Sequence, residues 1–189
     1  MSAGRLVRHS RFLSRVLRHA PDVAGVQLDP EGWVDVDALI EGARRQGIPL
    51  TRELVADVVA RNDKQRFTLD ESGRRIRANQ GHSVPVDLGL VPTVPPAVLY
   101  HGTATRHVQA IRRAGLQRRG RQHVHLSATR EMAWQVGARH GVPTVLEVDA
   151  QALHGQGHAF FLSANGVWLT DHVPARFIRT GRHVARAVG

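Results

Sequence analysis

Between residues 5 and 19 the apolar positions recur with helical spacing. Leu6, Phe12, Leu13, Val16 and Leu17 share one face at about 100° per residue, and Arg8, Arg11, Arg15 and Arg18 fall on the opposite face. Breaks follow at Pro21 and Gly25, then a turn at Asp29-Pro30-Glu31-Gly32 and the pair Trp33-Val34. Asp35 is placed to cap a second helix that ends at Gly47, a residue type favoured just past a helix end. Thr51 is placed to cap a third, running to about Asn62. Alternating residues from Arg66 to Leu69 and from Arg74 to Arg77 flank the turn Asp70-Glu71-Ser72-Gly73, which predicts a β-hairpin. Three helices followed by a basic hairpin outline a winged-helix-like lobe over residues 1–80.

From Gly81 to Ala97 the periodicity lapses and four prolines appear, as in an inter-domain linker. Residues 98–189 then alternate short strands and helices. Strands are expected at Val98 to His101, His123 to Leu126 and Thr144 to Val148, and helices at Thr105 to Ala114 and Thr129 to His140. A hairpin joins Ala159 to Leu162 with Val167 to Thr170 around Ser163-Ala164-Asn165-Gly166. The predicted fold class is therefore α+β, a helical lobe with a hairpin followed by a mixed lobe. No apolar run approaches the roughly 18 residues of a membrane span, and Met1 to Arg8 holds no apolar signal-peptide core. A soluble, cytoplasmic protein without membrane association is expected, and a monomer.

Composition narrows the chemistry. The formal charge is +10, and 25 of the 26 basic side chains are arginine. Arginine's rigid fork matches phosphate, so a polyanion such as nucleic acid is a plausible partner, although GC-rich codon usage also enriches arginine. The excess is +3 over residues 1–80 and +7 over residues 81–189, and seven arginines lie between Arg106 and Arg130 inclusive before any acid intervenes. The absence of cysteine excludes disulfides, thiolate metal sites and cysteine nucleophiles. Any nucleophile is an oxygen or nitrogen, or belongs to a substrate.

Five short constellations carry polar chemistry: Arg18-His19 at a helix end, Lys64-Gln65-Arg66-Phe67 entering the hairpin, Tyr100-His101-Gly102-Thr103 at a strand exit, His123-Val124-His125-Leu126-Ser127, and Val136-Gly137-Ala138-Arg139-His140-Gly141. Each has an ordinary structural explanation when taken singly. A histidine ends many helices, a surface arginine is common, and two histidines at period two lack a third ligand at zinc-like spacing, so no metal site is expected. Phosphate-loop, dinucleotide-fingerprint, nucleophile-elbow and zinc-protease patterns are absent.

In order along the chain, these segments together with Gly81-His82-Ser83 and Asn165-Gly166-Val167-Trp168-Leu169-Thr170 resemble the NAD-dependent tRNA 2′-phosphotransferase family over roughly residues 6–182. The resemblance implies an N-terminal winged-helix-like RNA lobe (1–80), a linker (81–97) and an NAD-binding lobe similar to ADP-ribosyltransferases (98–189). It implies removal of an internal RNA 2′-phosphate in two steps. The phosphate first attacks the NAD⁺ ribose carbon and expels nicotinamide; the neighbouring ribose hydroxyl then attacks phosphorus, leaving 2′-hydroxyl RNA and ADP-ribose 1″,2″-cyclic phosphate.

By the same resemblance, Arg18, His19, Arg66 and Arg139 form the catalytic set, the arginines clamping phosphate and His19 contacting it with acid/base capacity in the second step. His101, Gly102, Thr103, His125 and Ser127 match the NAD⁺-contacting motifs, NAD⁺ being a co-substrate with no metal required. The strand Val167-Trp168-Leu169 lacks the carboxylate that protein-modifying ADP-ribosyltransferases use, as suits a nucleophile that is already an anion. Two other readings stay open: an ADP-ribosyltransferase that caps nucleic-acid terminal phosphates, and a winged-helix regulator with a ligand-sensing second half.

Overall fold

The computed structural model describes residues 3–62 and 64–180. Two compact units divide the chain. Of the described residues, the first comprises 3–62, 64–90, 120–122 and 163–165, and the second comprises 91–119, 123–162 and 166–180. The proline-containing segment 81–97 is thus shared between them.

The first unit opens with helix α1 (Ala3–Arg18), whose apolar stripe packs inward. Phe12, Leu13, Val16 and Leu17 are buried and Leu6 packs at the margin, while Arg8, Arg11 and Arg15 face solvent. A two-residue strand β1 (Val34–Asp35) leads into α2 (Val36–Arg45), with the Asp35 carboxylate accepting from the Ala38 amide at 2.9 Å. The Thr51 hydroxyl accepts from the Leu54 amide to cap α3 (Arg52–Ala60). These caps satisfy amides that the first helical turn leaves without partners, as the sequence predicted. The hairpin strands β2 (Phe67–Leu69) and β3 (Arg75–Ala78) pair antiparallel, and β1 adds to the other side of β3 in the order β1-β3-β2. One core, centred on Leu13, Leu17, Leu39, Phe67 and Ile76, joins the helices to this sheet.

The second unit is built from β4 (Val98–Ala104), α4 (Val108–Ala114), β5 (Leu116–Gln117), β6 (Val124–Leu126), α5 (Arg130–Gly137), β7 (Pro143–Asp149), α6 (Ala150–Gly155), β8 (Phe161–Leu162), β9 (Trp168–Thr170), β10 (His172–Val173) and β11 (Ile178–Thr180). Strands β11-β7-β4 and β6-β9-β8 form two antiparallel sheets, and β5 pairs with β10. The bridge between Tyr100 and Ser127 links β4 to the end of β6. Mixed helix and antiparallel strand agree with the α+β expectation.

Three local expectations need correction. The segment after Thr129 leaves the α-helix at Gly137, not His140, because the Arg139 and His140 amides bond three residues back, to Val136 and Gly137, and tighten the chain out of α geometry. The helix expected from Thr105 begins as one tight turn and becomes α-helical at Val108. Helix α6 is absent from the sequence reading; six residues are too few to display a period, and its start is fixed by the Asp149 side chain accepting from Ala152. Among the described residues no helix is long and apolar enough to cross a membrane.

Candidate active site

In the first unit, Arg18 closes α1 and His19 follows it directly. The Arg18 carbonyl, one of the acceptors a helix C-terminus leaves over, receives the Ser83 amide at 2.8 Å, which ties Gly81-His82-Ser83 to the helix end. The Ser83 hydroxyl lies 3.0 Å from Nδ1 of His19. Gly81 has φ of +89° and packs on the Arg18 side chain, where a Cβ would lie 3.6 Å from Nη1. Phe67 from β2 lies 5.9 Å below the Arg18 guanidinium, measured to the ring centroid.

This environment is electrostatically one-sided. Burial, then Arg66, then Arg121, pushes the Arg18 pKa down to about 10, so the group stays cationic at neutral pH but at a cost. Burial, Arg18 and Arg121 together lower His19. His82 is 1% exposed, and burial followed by Arg18, His19 and Arg77 pushes it down to about 4. Nε and Nη2 of Arg18 are buried without a hydrogen-bond partner, as are both ring nitrogens of His82. A partly buried guanidinium with unsatisfied N–H groups beside other cations is costly unless an anion compensates it. This arrangement suits a phosphate.

Arg66 precedes β2 and is half-buried; its Nη1 donates to the Asn62 side-chain oxygen at 3.0 Å. The structure thus brings together Arg18, His19 and Arg66, three residues singled out in sequence, and adds Arg121 and the Gly81-His82-Ser83 turn. Arg121 was one arginine within a basic run, and nothing in its local spacing distinguished it. Arg139 belongs to the second unit, on the exposed turn after α5.

In the second unit the two histidine motifs meet although more than twenty residues separate them. Tyr100 and Ser127 exchange both backbone hydrogen bonds, at 2.9 and 2.7 Å, and Nδ1 of His101 donates to the His125 carbonyl at 3.1 Å. Because a carbonyl only accepts, that bond requires a proton on Nδ1 of His101. Thr103 is buried, and His101, His125 and Ser127 are half-buried. Gly102 has a packing reason to be glycine: a Cβ there would lie 1.7 Å from the Ala133 carbonyl oxygen, so only a hydrogen lets α5 cross β4. Arg130 pairs with Glu147 and sits 5.7 Å from the Tyr100 ring centroid, a cluster that the sequence reading missed because its members lie on three different elements. Among the described residues no group of three or more histidine, aspartate or glutamate side chains is arranged to hold a metal ion.

Comparison with known proteins agrees with the order of the motifs. The family model described as RNA 2′-phosphotransferase, Tpt1 / KptA family, matches residues 4–172. A protein of Burkholderia lata named "Probable RNA 2′-phosphotransferase" is 57% identical over 180 residues, covering 95% of this chain and 93% of its own. A protein of the same name from Pseudomonas aeruginosa is 56% identical over 171 residues, 90% of this chain and 94% of its own. Another from Streptomyces coelicolor is 52% identical over 179 residues, 95% and 97% respectively.

Proposed function

The chain belongs to the RNA 2′-phosphotransferase, Tpt1 / KptA family, and from that premise we propose that it transfers an internal RNA 2′-phosphate to NAD⁺, releasing 2′-hydroxyl RNA, nicotinamide and ADP-ribose 1″,2″-cyclic phosphate. The observation that carries the phosphate half of this reading is the partly buried Arg18 guanidinium, whose Nε and Nη2 lack acceptors, with Arg66 and Arg121 close enough to depress its pKa. Such a set stabilises a dianionic phosphate in the ground state and the greater charge on a five-coordinate phosphorus later. Arg18 and Arg66 hold the phosphate oxygens, and Arg121 adds charge to the same cluster. Burial, with Arg18 and Arg121 beside it, lowers the pKa of His19, which favours the imidazole form that accepts a proton from an attacking hydroxyl. The role given to Arg139 in the second step rests on the family resemblance alone.

The second unit is the NAD⁺-binding lobe in this reading, similar to ADP-ribosyltransferases. NAD⁺ supplies a ribose carbon whose bond to nicotinamide breaks as phosphate attacks. The backbone pairing of Tyr100 with Ser127 and the bond from His101 to the His125 carbonyl bring two of the NAD⁺-contact motifs side by side, which supports their use together on a ribose and a carboxamide. Gly102 contributes by letting α5 approach. The first unit has the element order of a winged-helix module, with β1 and the β2–β3 hairpin forming the sheet, and is the proposed RNA lobe, in a cytoplasmic, monomeric protein.

The test is incubation with NAD⁺ and a short RNA carrying one internal 2′-phosphate, without added metal. Dephosphorylated RNA and cyclic-phosphate ADP-ribose are expected in equal amounts. ADP-ribose left attached to the RNA, with no release over many turnovers, would instead identify a capping enzyme, and no reaction at all would overturn the proposal.

A further inference from the structure

Arg66 is held by an arrangement that its own hairpin does not explain. The Asn62 side-chain oxygen accepts from the Lys64 amide at 3.1 Å and from Nη1 of Arg66 at 3.0 Å, two donors that fix which end of the carboxamide faces them. On the other side, Asn79 just beyond β3 is buried. Its Nδ2 donates to the Gln65 carbonyl at 2.6 Å, its backbone amide donates to the Arg66 carbonyl at 2.9 Å, and its Oδ1 accepts from the Thr68 hydroxyl at 2.6 Å. Between them Gln65 adopts φ of +40°, a left-handed conformation that a residue with a Cβ takes only when its surroundings enforce it.

The chemistry of the two asparagines is informative. A turn of the Asn62 type forms equally well on aspartate or serine, yet here the Nδ2 of Asn62 is buried with no acceptor, a cost that serine would avoid. Aspartate would also pair ionically with Arg66 and compete with any anion the guanidinium must bind. A neutral acceptor orients the guanidinium without adding a carboxylate to it.

We propose that Asn62 and Asn79 are positioning residues for Arg66: they fix the backbone and the guanidinium plane from opposite sides through neutral carboxamides. This rests on the reading of Arg66 as a phosphate ligand.

The test measures, without NAD⁺, the dissociation constants of an RNA oligonucleotide carrying one internal 2′-phosphate and of the same RNA with a 2′-hydroxyl. Their ratio is the preference for phosphate. Arg66→Ala is expected to remove most of it. Asn62→Ala and Asn79→Ala are expected to lower it about tenfold, the scale of one charge-assisted or buried hydrogen bond, with the 2′-hydroxyl RNA bound within about twofold of wild type. Asn62→Asp is expected to lower the ratio at least as far, by roughly tenfold or more, although aspartate preserves the turn.

Adding Asn79→Ala to Arg66→Ala should cost nothing further. Should Asn79→Ala not fold, Thr68→Val frees the carboxamide with little change in volume and is expected to lower the ratio about threefold. Retention of the ratio by Asn62→Asp, equal weakening of both RNAs, or additivity with Arg66→Ala would each overturn the positioning role while leaving Arg66 a phosphate ligand. A wild-type ratio in Arg66→Ala would overturn both.

Discussion

Arg18 and His101 sit in opposite kinds of surroundings. Around Arg18 the neighbours are cations and apolar groups, two of its nitrogens lack acceptors, and its pKa is depressed. Around His101 the backbone supplies an acceptor: the His125 carbonyl accepts a hydrogen bond from Nδ1, and Tyr100 and Ser127 pair beside it. The first region carries an electrostatic deficit that a ligand would relieve. The second is a shape already satisfied by its own chain. Charge removed from the first should therefore cost binding and relieve the fold, whereas volume added to the second should cost the fold.

The largest expected effect tests the first half of that contrast. Arg18→Met keeps an unbranched stem against Gly81 and Phe67 but removes the charge. Activity on 2′-phosphorylated RNA is expected to fall by roughly a thousandfold or more, as for loss of a charge-stabilising donor in a preorganised site. Melting temperature should stay level or rise by roughly 2–4 °C, because an uncompensated cation is removed. Product quantification and calorimetry on the same preparation check both; a large fall in melting temperature would make Arg18 a structural residue.

The counterpart is Gly102→Ala. Its Cβ would lie 1.7 Å from the Ala133 carbonyl oxygen, so α5 must shift off β4. Overpacking of backbone on backbone is expected to cost about 3 kcal/mol, a fall of roughly 6–12 °C in melting temperature. An unchanged melting temperature would show that the second region yields to added volume and would dissolve the contrast.

The two regions also differed in how far sequence revealed them. The apolar stripe of α1 set its buried face, and the caps at Asp35 and Thr51 are local hydrogen bonds that each residue type announces. Arg18 stood opposite that stripe, where periodicity alone assigns a solvated residue. Its partial burial comes from Gly81 and Phe67, more than forty residues away, and only the order of motifs marked it. Asn62, Asn79 and Arg121 gave no sequence signal, because their significance lies in which carbonyl or guanidinium they approach. Gly102 was visible as part of a motif, but the reason for a glycine there is the crossing of α5, a tertiary fact. Helix α6 and strands β5, β10 and β11 were missed for the opposite reason: elements of two to six residues are made by their partners and are too short to carry a period.

The smallest expected effect concerns His82, whose ring is buried facing Arg18, His19 and Arg77 and whose pKa is pushed down to about 4. In the unfolded chain the same imidazole titrates near 6.5, so between these values the unfolded state binds a proton that the folded state refuses. Stability is therefore present above about pH 6.5 and is lost as pH falls toward 4, by about 3 kcal/mol at most if the whole shift is realised. His82→Leu removes the titrating group together with two unpartnered nitrogens while filling similar volume. Between pH 7 and pH 5 its melting temperature should fall by roughly 4 °C less than that of wild type, read by calorimetry in matched buffers. Parallel pH profiles for the two proteins would mean that the cationic cluster does not press on His82, and the electrostatic deficit assigned to the Arg18 region would have to be smaller than its geometry requires.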